Sequence, residues 1–281
     1  MKNKSFAILV ALLVMLSLLL AGCGNGGSQA SPSAPVDSPS TPDAASPSQS
    51  EEPGEATEVD AIKASGKIVM LTNASFPPFE YIEGGEVVGI DVDVAGEIAK
   101  DLGVELEILD MNFDLLIDAV KSGKGDFAAA GMTVRPDRLE QVDFSINYVR
   151  STQMILVPAD SDITADDLDG KVIAVQESTT GDFYVSDEID AKEVLRFKSA
   201  VDAGAALSAG KCDAVVIDEL PAKAIAAKSD GKLKVLDDAL TEEDYAIAIK
   251  KGSALKAAID QTLERLIAEG KLDEYAEKHM N

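Results

Sequence analysis

Arg138 and Asp218 are the side chains of this 281-residue chain best suited to gripping a small charged molecule. A guanidinium takes a carboxylate through two parallel charge-assisted hydrogen bonds, a geometry lysine cannot reproduce. Set between Asp137 and Glu140, Arg138 serves equally well as a solvated helix charge. Asp218 closes the apolar run Ala214–Ile217, at the carboxyl edge where parallel sheets bind ligands. It fits a cap for the following helix equally well. Thr180 stands where another helix begins, and a helix start offers N–H donors and a positive dipole end to an anion. Catalysis has less to work with. The one histidine, His279, builds no Ser/His/Asp or Cys/His arrangement, which leaves Asp218, Glu80 and Glu177 as bases in principle. Asp91 and Asp93 lack the further oxygen ligands and the glycine offset of a calcium loop, so they are expected to cap and pack, and no metal or other cofactor is expected.

Strands and helices must alternate to bring these groups together. Lys67 to Leu71, Val104 to Leu109, Phe127 to Ala130, Val172 to Val175 and Ala214 to Ile217 read as strands. Between them, Val94, Ile98 and Leu102 recur at helical spacing after Asp91, and the helix stops at Gly103. Shorter helices are expected at Leu115–Val120, from Thr180, and at Leu220–Lys228. Ser199 with Asp202 opens another, running to Ala209, in the manner of a capping box. A last helix begins at Ser253, carries Leu255, Ile259, Leu263 and Leu266 on one face, and ends at Gly270. This alternation predicts an α/β protein of mainly parallel sheets with helices on both faces.

The formal net charge of −25 excludes a nucleic-acid partner, which would need a basic face. Lys2, Lys4, the apolar run Phe6 to Leu20 and the small residues after it have the order of a secretory signal. The run is about fifteen residues, short of the roughly 20 that span a bilayer. Leu20-Ala21-Gly22-Cys23 resembles the lipobox of bacterial lipoproteins. That resemblance implies cleavage before Cys23, a lipid on its thiol (palmitate among its acyl chains), and an extracytoplasmic protein anchored to the cell membrane. Six of the eleven prolines lie between Gly24 and Val59, among Ser, Gly and acidic residues, so this stretch reads as a disordered tether. Such a coil spans roughly 30–35 Å. With Cys23 committed to the anchor, Cys212 stands alone and is expected to be a small buried residue.

Several ordered motifs carry a resemblance over the folded part. They are Phe76-Pro77-Pro78-Phe79-Glu80-Tyr81, Gly89-Ile90-Asp91-Val92-Asp93, Ala130-Gly131-Met132-Thr133 with Arg138, Val142-Asp143-Phe144-Ser145 and Gly170 to Gln176. Ser178-Thr179-Thr180-Gly181, Asp213 to Asp218 and Tyr245-Ala246-Ile247-Ala248 continue the series. From Lys67 onward the chain resembles family 3 solute-binding proteins of polar amino-acid ABC transporters, relatives of glutamine-, histidine- and lysine/arginine/ornithine-binding proteins. The resemblance implies a two-lobed, periplasmic-binding-protein-like type II fold with its ligand cleft between the lobes. Lobe 1 would be 60–154 with 247–281, lobe 2 would be 155–246, and 1–22 and 23–59 would be signal and tether. The crossings would fall near Gln153–Leu156 and Ala246–Ile249.

The resemblance also assigns roles. Arg138 would hold the ligand carboxylate with Ala130, Gly131, Thr133 and Thr180 beside it, Asp218 would hold the ammonium, and Phe76 and Phe113 would sandwich the aliphatic part. Arg135 would be a surface charge and Phe79 core. Several relatives that take cationic side chains carry Asp where this chain has Asn73, and the glutamine-binding relative has Lys where this chain has Gln176. A neutral Asn73 and Gln176 therefore favour a neutral polar side chain. Glu177 and Ser75 keep a cationic one open, and an anionic one fits least. The implied partners are a polar amino acid, an ABC permease and its ATPase, with the protein a monomer. An amino-acid-sensing lipoprotein that acts with a separate receptor is the alternative, and a cyclohexadienyl-dehydratase-like enzyme on the same fold a more distant one.

Overall fold

Lys67–Thr72 is apolar on both faces, and Glu105–Asp110 and Phe127–Ala128 pair with it in parallel. A strand buried on both sides has to be covered by helices, and Ile90–Leu102 supplies one of them. Val94, Ala95, Ile98, Ala99 and Leu102 form its buried stripe. Gly89 precedes this helix at φ 141°, and a Cβ there would stand 2.1 Å from the carbonyl oxygen of Phe79, so only glycine admits the approach.

The computed structural model describes residues 57–280. Cys23 and the tether up to residue 56 lie outside the described residues. The expected tether does end early, because Glu58–Ser65 is a helix opened by a capping box between Thr57 and Asp60.

Two five-stranded sheets organise the chain. The first runs Glu105–Asp110, Lys67–Thr72, Phe127–Ala128, Ala248–Ile249, Asp143–Phe144. The second runs Glu193–Phe197, Val172–Gln176, Ala214–Asp218, Gln153–Pro158, Leu233–Val235. Parallel pairing holds through the first three strands of each, and the remaining pairs are antiparallel. The chain crosses between sheets on a separate antiparallel pair, Val149–Ser151 with Glu243–Tyr245. That differs from the expected Gln153–Leu156 and Ala246–Ile249, which are embedded in the sheets themselves. Each crossing strand leads into the one reversed strand of its sheet, Gln153–Pro158 in the second and Ala248–Ile249 in the first.

Most expected helices are present within two residues of their ends. Ser199 does accept from the Asp202 N–H, at 3.2 Å. Gly270 ends the helix Leu255–Ala268, but a further helix, Lys271–Met280, follows it. Its apolar residues Leu272, Tyr275 and Ala276 fall at helical spacing and pack half-buried on the core, a short stripe hidden in sequence behind the glycine stop. The helix is also held by Lys278 and His279, which both reach Asp93, and by His279 Nδ1 against the Tyr81 hydroxyl. Cys212 is buried and free, and burial followed by the Asp213 charge pushes its thiol up to about 11. Among the described residues no helix is long and apolar enough to cross a membrane.

Candidate functional site

Between the two sheets, at the carboxyl ends of their parallel strands, the chain builds one narrow pocket. Asn73, Phe76, Phe113, Ala130, Gly131, Thr133 and Arg138 line it from the first sheet's side, and Gln176, Thr180 and Asp218 from the second's. All ten residues singled out in the sequence therefore converge. Two more join them, Glu80 and Thr179. The free space is about 10 Å³, on the order of one water.

At one end stands Arg138, in the short helix Pro136–Leu139 and 5% exposed, which sets aside a solvated helix charge. Its Nη1 donates to the Thr133 carbonyl at 2.8 Å, its Nη2 to the Ser178 carbonyl at 3.1 Å, and the guanidinium lies 5.2 Å from the Phe113 ring centre. Burial, then the neighbouring Arg135 charge, lower it to about 10, so it stays protonated at neutral pH. Arg135 is less exposed than expected, because its guanidinium stacks 4.2 Å from the Phe183 ring centre.

Thr133 and Thr180 face each other at 3.1 Å, and both hydroxyls reach Glu243 Oε2, at 2.6 and 2.9 Å. Glu243 comes from the crossing strand, and nothing in the run Thr241-Glu242-Glu243-Asp244 marks it in sequence. With those hydroxyls engaged, an anion here would find Arg138 and the free N–H groups at the start of the helix Thr180–Glu188.

Asp218 precedes the helix Glu219–Ala227, but its carboxylate makes no capping hydrogen bond. Instead it accepts from the Tyr245 hydroxyl at 2.5 Å and the Ser151 hydroxyl at 3.5 Å. Burial, then the Glu243 charge, raise it to about 7 against the pull of those donors. Phe79 packs in the core, its ring 5.2 Å from Tyr245 and 5.9 Å from Phe76.

The far end holds the side chains expected to set selectivity, and they are occupied with one another. Gln176 Nε2 donates to Asn73 Oδ1 at 2.9 Å, and Asn73 Nδ2 donates to the Met111 carbonyl at 2.9 Å. Ser75 also donates to Asn73, and Glu177 turns outward to Lys198 at 2.7 Å. Left without a donor on this wall are Gln176 Oε1 and, with both carboxyl oxygens, Glu80. Glu80 is fully buried and pairs across from Phe76 in the antiparallel pair Ser75–Phe76 with Glu80–Glu83. Burial, then the charge of Asp91, push it well above the usual carboxylate range. In the sequence Glu80 stands out only as a base in principle, because nothing local marks its place on the pocket wall.

Asp91 differs from its expected role as well. It lies inside the helix Ile90–Leu102, and it accepts the Gly131 N–H at 2.8 Å and the Tyr148 hydroxyl at 2.6 Å. Gly131 sits at φ 52°, where a Cβ would press to 2.7 Å from the Phe76 ring. Asp91 thus holds the pocket's glycine wall from behind.

Comparison with known proteins gives this arrangement a context. A profile for bacterial extracellular solute-binding proteins, family 3, matches residues 68–281. The arginine-binding extracellular protein ArtP of Bacillus subtilis is 36% identical over 219 residues, covering 75% of this chain and 85% of that protein. The glutamine-binding protein GlnH of the same organism is 29% identical, covering 93% and 92%. Among solved structures, the arginine-bound truncated ArgBP of T. maritima has a TM-score of 0.70 at 42% identity, covering 74% of this chain and 99% of that one.

Proposed function

Since the chain belongs to the bacterial extracellular solute-binding proteins of family 3, we propose that it captures a basic amino acid, arginine foremost, and delivers it to an ABC importer. The fold is the two-lobed type II periplasmic-binding-protein fold, and the relatives are amino-acid-binding proteins of transporters rather than enzymes. The observation that carries the choice of side chain is Glu80, a buried carboxyl without a donor on the pocket wall. A guanidinium or ammonium supplies the donors it lacks. Asn73 and Gln176 are joined through one hydrogen bond, and the Gln176 Oε1 left without a donor would accept from the same cationic group as Glu80.

In this reading Arg138 grips the ligand carboxylate and Asp218 its ammonium, with Phe76 and Phe113 against the aliphatic chain. Ala130, Gly131, Thr133 and Thr180 frame the carboxylate. The pocket is too small to admit an amino acid while its walls stay together, so the lobes part at the crossing strands and close on the ligand, which bridges both. A lipid on Cys23 holds the protein to the membrane, where the closed complex meets the permease and its ATPase.

A thermal-shift screen of the compact unit Pro53–Asn281 against the twenty amino acids, ornithine, citrulline and cystine tests the reading. Arginine, lysine or ornithine should raise the melting temperature by mass action. A cooperative melt that none of them shifts would overturn it.

A further inference from the structure

Three acids on the elements packed around Glu80 act on its charge: Asp91 on the helix Ile90–Leu102, Asp110 at the end of Glu105–Asp110, and Asp218 at the end of Ala214–Asp218. Asp91 is near enough to accept a hydrogen bond from a protonated Glu80. The two carboxyls are unequal. Asp91 has two fixed donors, Tyr148 and Gly131, that stabilise a charge. Glu80 has none. One proton shared between them therefore resides on Glu80, and the Tyr148 hydroxyl, itself pushed well above its usual value by burial and by Asp91, has none to give up. Burial raises Asp91 only to about 6, held down by its donors, whereas Glu80 is held well above the carboxylate range.

Resting on the amino-acid reading of the pocket, we propose that Glu80 is a proton-exchanging subsite that takes two chemical classes of side chain. A neutral amide or ureido group binds while Glu80 keeps its proton. A guanidinium or ammonium binds in exchange for that proton. In the first case the Glu80 O–H turns from Asp91, which keeps its Tyr148 and Gly131 donors, to the ligand carbonyl, and the Glu80 C=O accepts a ligand N–H. In the second the proton passes to solvent as the lobes close, and the carboxylate accepts N–H groups of the cation. One positive charge enters and one leaves, so the buried net charge is the same for both classes. An anionic side chain has no such route, facing Asp91, Asp110 and Asp218.

L-arginine and L-citrulline separate the classes, since they differ only in guanidinium against ureido. Both carry the same α-groups, so any proton exchanged at Asp218 is common to the two and cancels. Calorimetric titration of each ligand, in paired buffers of different ionisation enthalpy, counts the protons released. Arginine should release about one proton more than citrulline, and its affinity relative to citrulline should rise about tenfold per pH unit wherever free Glu80 is protonated. Equal proton counts would overturn the exchange, and binding of arginine without citrulline would overturn the two-class subsite. Binding of neither would overturn the underlying reading and the proposal with it. In Glu80→Gln, checked for a cooperative melt, citrulline should stay within about threefold and arginine weaken about a hundredfold. The extra proton should vanish, and its persistence in that variant would place the exchange elsewhere.

Discussion

The two ends of the pocket handle buried charge in opposite ways. Around Arg138 and Asp218 every charged group has partners: two carbonyls for the guanidinium, Tyr245 and Ser151 for the carboxylate, and two threonine hydroxyls for Glu243. Around Glu80 there is a fully buried acid with no donor. The first end is complete and suits the α-groups common to every amino acid. The second is unfinished, and an unfinished buried group is where a particular ligand gains most, because a polar group left unpaired in the interior is costly. On the proposed reading, generic and selective recognition occupy separate ends of one narrow space.

The sharpest way to break this contrast is Arg138→Ala. Truncating one partner of a desolvated charge pair costs about 2–5 kcal/mol. Arginine and citrulline should both weaken by that amount, as measured by calorimetry. A loss confined to one of them would mean the two ends are not independent.

Asp218→Asn comes next. It should weaken every amino-acid ligand similarly, by about 2 kcal/mol or more. The same variant reports on stability. Burial raises Asp218 from the ordinary carboxylate value of 3.8 to about 7 in the fold, so the folded state holds its proton more tightly than the unfolded state. Its contribution is full below the unfolded value and is lost as pH rises through about 7. Melting temperatures across that window should therefore fall less steeply with rising pH in Asp218→Asn than in the unchanged protein. Parallel curves would remove Asp218 from the titration.

Tyr148→Phe probes the support behind the unfinished end. Deleting the 2.6 Å hydrogen bond to a buried Asp91 should lower stability by about 1.5–3 kcal/mol in chemical denaturation. An unchanged midpoint would show that Asp91 does not depend on that donor. The smallest effect is expected at the pocket's outer margin, where Lys198 bridges Asp114 and Glu177 but is 47% exposed. A pair this exposed is screened by solvent and contributes little, so Lys198→Ala should change ligand affinity no more than about fivefold. A larger loss would make this ion pair part of the closing mechanism.

Much of the scaffold was legible because it rests on local signals. The apolar spacing of Val94, Ile98 and Leu102, the Ser199 cap and the glycine stops mark elements whose bonds close within a few residues. The helix Lys271–Met280 was not legible, since it follows a glycine stop and its short half-buried stripe, Leu272, Tyr275 and Ala276, is supplemented by bonds to Asp93 on a distant helix. The crossing strands were displaced for the same reason: their pairing partner lies far along the chain.

The sequence by itself determined the class of fold, the strong acidity, and the ordered motifs whose ten residues meet at the pocket, because residue type and order carry those. Tertiary structure decided which of them are already satisfied. Asn73 and Gln176 spend their hydrogen bonds on each other, Thr133 and Thr180 spend theirs on Glu243, and Glu80 has nothing to accept. Whether a buried group is paired depends on atoms brought together from distant parts of the chain. Pairing is also what separates a group that supports the fold from one that awaits a ligand.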